Sequence, residues 1–127
     1  MPIYFKVISR GEPGVPGGGV KKFYASPELN GELTLNDLTK LIEDISSAKG
    51  ADIRAVLYAL VTVAVNGLEN GKIVRLGDLG SLRPSFNSDG KKTKEEVKAS
   101  AIKRSSVVFT PGSRIKDMLR TVKYKKA

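Results

Sequence analysis

A chain of 127 residues carries 22 Lys+Arg against 13 Asp+Glu, a formal net charge of +9, with 40% hydrophobic residues, 6% aromatic residues and neither cysteine nor histidine. That length suits one domain built on one core. The missing side chains exclude disulfides, thiolate nucleophiles, the usual zinc sites and imidazole proton transfer near neutral pH, so neither an enzymatic activity nor a cofactor is expected.

The opening "MPIYFKVISR" lacks the basic region, apolar core and small-residue cleavage site of a secretory signal. No unbroken apolar run reaches the ~18 residues of a membrane helix, so a cytoplasmic protein without a membrane partner is expected. "IYFKVIS" alternates, placing Ile3, Phe5 and Val7 on one side of a strand and Tyr4, Lys6 and Ile8 on the other. "KKFYAS" reads as a second strand. The intervening "RGEPGVPGGG" reads as a long hairpin loop, and its glycines lack the Lys-Ser/Thr pair and following helix of a phosphate cradle.

From Thr34 the period changes to that of a helix, with Leu35, Leu38, Leu41, Ile42 and Ile45 on one face. Thr34 and Asp37 form a capping pair, and helix one is expected from about Leu35 to about Ser46. Glu43 and Asp44, adjacent on that helix, point apart and do not converge on a substrate atom. A second helix is expected over roughly Ala51 to Leu68, stopped at Asn70-Gly71. Its Ile53, Val56, Leu57, Leu60, Val61, Val63, Val65 and Leu68 occupy more than one face. Such a helix needs cover on most sides, from a second subunit or from the N-terminal hairpin.

Beyond this point the charge changes character. Residues 1–71 hold 7 Lys+Arg against 8 Asp+Glu, whereas residues 72–127 hold 15 against 5. That asymmetry is the footprint of a polyanion-binding surface, with nucleic acid ahead of anionic membrane. "KIVRLG" and "GSLRPSF" read as strands meeting at Gly77-Asp78-Leu79-Gly80. The charged "GKKTKEEVKAS" follows, and then a strand from about Ala101 to Phe109. "TPGSRIKDMLRTV" starts a last helix, with Ser113 placed to cap it and Ile115, Met118, Leu119 and Val122 as its apolar face. The tail "KYKKA" is expected to fray.

This order, together with "GKIVRLGDLGSL" and "FTPGSRIKDML", resembles the HU/IHF family of bacterial histone-like DNA-binding proteins over roughly Leu33 to Val122. Gly77, Leu79 and Gly80 stand at the family's strand turn, with Leu79 in the aromatic's place. Phe109, Thr110, Pro111, Gly112 and Ser113 match the segment that opens the family's last helix. The resemblance implies an α+β fold: an intertwined dimer with a helical body and β-strand arms that reach around the DNA minor groove. It divides the chain into an N-terminal β-hairpin extension over 1–33 and a DNA-binding domain over 34–127, with the arm at about 83–106. Implied partners are double-stranded DNA and a second copy, with a heterodimer also possible, and no small-molecule substrate. The implied location is the cytoplasmic nucleoid.

The family's arms typically carry an Arg-Asn-Pro motif whose proline wedges between base pairs. Here the tip near Thr93 to Glu95 has no proline, and Val97 is the one apolar residue nearby, read as an ordinary strand residue. Contacts with DNA are expected from Arg75, Arg83, Lys91, Lys92, Lys94, Lys98, Lys103, Arg104, Ser113, Arg114 and Lys116. The role expected of them is architectural and sequence-tolerant: cations neutralise phosphates while groove shape is read weakly. The competing reading keeps the fold as a dimeric scaffold for protein contacts, its basic charge serving solubility.

Overall fold

The computed structural model describes residues 2–127. In chain order the elements are β1 (Ile3–Arg10), β2 (Lys22–Glu28), α1 (Leu35–Ile45), α2 (Gly50–Glu69), β3 (Val74–Arg75), β4 (Gly80–Ser88), β5 (Ile102–Pro111), α3 (Ser113–Thr121) and β6 (Tyr124–Lys126). The fold is mixed α+β, with two three-stranded sheets among the described residues, ordered β2-β1-β6 and β3-β4-β5. The chain divides into two compact units, Met1–Glu32 with Met118–Ala127, and Leu33–Asp117.

In the first unit, β1 and β2 form the antiparallel hairpin that alternation predicts, in unbroken register from Tyr4 opposite Glu28 to Arg10 opposite Lys22. The tail does not fray. β6 runs parallel to β1, with Ile3 beside Tyr124 and Phe5 beside Lys126. Hydrogen bonds from Ile3 N to Lys123 O (2.8 Å) and from Ala127 N to Phe5 O (2.9 Å) fasten its two ends. A backbone with donors and acceptors to satisfy finds them on the open edge of β1, which outweighs the weak strand propensity of a lysine-rich segment.

In the second unit α1 begins with a complete capping box. Asp37 N donates to Thr34 Oγ1 (3.2 Å), and Thr34 N donates back to Asp37 Oδ2 (3.0 Å). α1 packs on α2. Arg54 Nη2 donates to Asn36 Oδ1 (2.6 Å) across the pair, and Thr39 is buried with its hydroxyl on Leu35 O (2.8 Å). α2 ends where Gly71, at φ +76°, supplies the left-handed turn that a side chain would resist. Ile53 is the buried hydrophobic residue of α2, while Val56, Val61, Val63 and Val65 are each more than half exposed. With 20 residues and a mean hydropathy of 1.4 over its 18-residue window, α2 is long and apolar enough to cross a membrane by length and composition. The absence of an unbroken apolar run had hidden this, because Arg54 and Asn66 interrupt the run without offsetting its sum.

β4 and β5 form a long antiparallel hairpin from Gly80 opposite Pro111 to Ser88 opposite Ile102, with a bulge at Asn87/Ser88. β3 adds to the other edge of β4, pairing Val74 with Leu82 and Arg75 with Ser81. Residues 89–101 contain two short 3-10 turns, at Lys94–Glu96 and Ala99–Ala101. Val97 follows the first of these in the loop rather than lying in a strand, and it is 55% exposed.

Candidate nucleic-acid interface

Alternation along the β4–β5 hairpin sorts its residues by chemistry. On one face Leu82, Pro84 and Phe86 stand opposite Phe109, Val107 and Ser105, the apolar side of the sheet. On the other, Arg83, Ser85 and Asn87 stand opposite Val108, Ser106 and Arg104. Arg75 of β3, paired with Ser81, joins that second face. Three of the expected cations, Arg75, Arg83 and Arg104, therefore share one sheet face with Ser81, Ser85, Asn87, Ser106 and Val108. All three arginines are exposed, a surface suited to phosphate oxygens and groove edges.

At the base of this face a concavity of about 320 Å³ is lined by Arg75, Ser81 and Thr110 from the sheet and by Gly112 and Lys116 from the start of α3. Lys116 N donates to Gly112 O (3.0 Å), so Gly112 holds the cap position and Ser113 lies one residue inside the helix. The expected capping role of Ser113 is replaced by a bridging one, its hydroxyl lying 3.1 Å from Asp78 Oδ1 in the strand turn. Gly112 N also donates to Leu79 O (2.9 Å). These two bonds fix the start of α3 against the β3–β4 turn and bring Arg75 and Lys116 to one cavity. Sequence reading missed Asp78, whose role depends on a partner 35 positions away.

The other expected cations divide between the loop and the bulge. Lys91, Lys92, Lys94 and Lys98 are exposed in residues 89–101, beside the equally exposed Glu95 and Glu96. Lys103 is the extra residue of the bulge, and its Nζ lies 3.3 Å from Asp89 Oδ2. Asp89 N donates to Ala101 O (2.9 Å), closing the loop at its neck above a buried Ala101. Arg114 is exposed on the first turn of α3, whose positive end adds to the local field. Among the described residues no cluster of three or more acidic side chains could hold a metal ion.

A solved chain from Bacteroides vulgatus ATCC 8482, described as a "Putative bacterial DNA binding protein", has a similar fold, with a TM-score of 0.67 at 12% identity. The likeness covers 99% of this chain and 49% of that one, so this chain spans about half the length of that protein. No curated protein matches the chain. The HU-HIG family, described as an HU domain fused to wHTH, Ig, or glycine-rich motif, matches residues 1–126. The glycine turn, the Pro-Gly start of α3 and the long β4–β5 hairpin are thus features of a chain that belongs to the HU-HIG family.

Proposed function

We propose that this protein is an architectural, largely sequence-tolerant binder of duplex DNA, acting as a homodimer in the bacterial cytoplasm at the nucleoid. The observation that carries this reading is the shared polar face of Arg75, Arg83 and Arg104, continuous with the Arg75–Lys116 concavity. Arg83 and Arg104 on the narrow two-stranded β4–β5 ribbon, with Arg75 beside them on β3, suit the minor groove, where phosphates line both walls. Family membership and the similar fold of a protein described as DNA-binding support the same reading. Binding is driven by counterion release as Lys and Arg neutralise phosphates, and sequence enters through groove width and deformability. Residues 89–101 hold no proline, so the bound duplex curves without a rigid wedge unstacking it.

The test is a salt series on a random 30-base-pair duplex. Each neutralised phosphate contributes about −0.9 to the slope of log affinity against log salt. A steep slope that Arg75→Ala with Arg104→Ala makes shallower supports the reading. Affinity independent of salt would instead favour the scaffold, with the charge serving solubility alone.

A further inference from the structure

Pairing β6 with β1 joins the two ends of the chain into one sheet with two unlike faces. Ile3, Phe5 and Val7 lie on the more apolar face, with Lys126 beside Phe5 at its edge. The opposite face gathers Tyr4, Lys6 and Arg10 of β1, Lys22 and Tyr24 of β2, and Lys125 of β6. All six are exposed except Tyr4, which is half-buried. Arg10 stands directly opposite Lys22, and Tyr4 is flanked by Lys125 on one side and Glu28 on the other. Glu28 is the one carboxylate at a paired position of this face.

Like charges directly opposite one another destabilise a sheet. Among the described residues no ion pair relieves Arg10 or Lys22. A local rule broken without an internal partner points to an external one, and four cations against one carboxylate select a polyanion. The tyrosines narrow the choice. Tyr24, 38% exposed, stands across from Ile8 in the middle of the cations, and Tyr4 lies about 13 Å further along the strands. Aromatic rings on a flat sheet are stacking platforms, available to unpaired bases and not to bases stacked inside a duplex.

We propose that this sheet face is a second nucleic-acid site, made of residues other than the hairpin interface and taking single-stranded nucleic acid. Lys6, Arg10, Lys22 and Lys125 contact phosphates, and Tyr24 and Tyr4 stack on bases.

The test uses the full chain and a fluorescein-labelled twelve-residue oligothymidine, read by anisotropy, with random duplex DNA measured in parallel. Lys6→Ala with Lys22→Ala should lower the salt slope on the single strand by about 1.4, at roughly 0.7 per phosphate contact. Tyr24→Val, which keeps strand propensity, should weaken oligothymidine binding about tenfold, and Tyr24→Phe should restore it. Duplex affinity should be little changed by any of these, so a failed duplex interface and a failed sheet site give different patterns. The proposal is overturned if the intact chain does not bind oligothymidine at low salt, or if Tyr24→Val and Tyr24→Phe bind alike. Loss of oligothymidine binding in Arg75→Ala with Lys116→Ala overturns it too, by placing the strand on the hairpin. Full competition by phosphatidylglycerol vesicles would make the face a generic anion surface and has the same consequence.

Discussion

Gly112 shows how one backbone position holds the candidate interface together. A Cβ there would press on the carbonyl group of Asp78 and come within 2.8 Å of Gly80 N, atoms that cannot swing aside like a side chain. Gly112→Ala should therefore cost about 1–3 kcal/mol by overpacking and weaken duplex binding as Arg75 and Lys116 move apart, measured by thermal denaturation and by anisotropy. Asp37 gives a residue-level test of the α1 start. The Thr34 backbone amide, then its hydroxyl, hold the Asp37 carboxyl below its ordinary value of 3.8, with Lys40 adding a smaller pull and burial opposing. A lowered carboxyl pKa stabilises the fold above the unfolded value and stops doing so as pH falls through the folded one. The capping contribution should thus be fully present well above 3.8 and be lost progressively below it, as pH falls through the lowered folded-state value. Carboxyl NMR titration should put the Asp37 midpoint below 3.8, and Thr34→Ala should move it back toward that value.

The hairpin and its loop carry most of the expected contacts, and they test as one element. The Lys103–Asp89 pair is about half exposed on both sides, so it adds little stability, and the loop neck rests chiefly on the Asp89–Ala101 backbone bond. Replacing Lys91, Lys92 and Lys94 together by Ala should leave the fold intact and weaken duplex binding similarly for all sequences. The salt slope should flatten by up to about 2.7 if all three contact phosphates. An unchanged slope would place the contacts on the Arg75–Arg83–Arg104 face alone. α1 was legible because a 3.6-residue apolar period over three turns has few alternative explanations, and α2 because a long apolar segment ends at the Asn70-Gly71 stop. β1, β2, β4 and β5 were legible from alternation and turn glycines. β6 was not: three residues, two of them lysine, carry no period, and what makes them a strand is the open edge of β1, 121 residues away. The face shared by Arg75, Arg83 and Arg104 was hidden for a related reason. Each cation was visible singly, but register across strands decides which side chains stand together, and the bulge that sets Lys103 apart from Arg104 has no sequence signature here.

In the chain as a whole, the helix pair leaves more apolar surface open than a self-sufficient domain would. Among the described residues the buried hydrophobics are Ile53 and Ala101, while Leu41, Val56, Leu60, Val61, Val63 and Val65 remain open. That burial is far too small to offset the conformational entropy of ordering the chain. Two covers suit such a helix: a second copy, as in an obligate dimer burying 2,000–5,000 Å², or a bilayer. The capping box of α1, its packing on α2 and the Arg54–Asn36 bond place polar groups along the helix pair, which favours a protein partner. In detergent-free buffer the unmodified chain should sediment as a dimer of about twice 13.7 kDa at all concentrations where it is folded. Leu60→Lys should abolish folding and dimerisation together, because an ammonium buried without a partner costs several kcal/mol. A well-folded monomer of the unmodified chain, or a Leu60→Lys variant that dimerises as tightly, would show that α2 is not the subunit interface. Solubility only in detergent would assign the helix to a membrane.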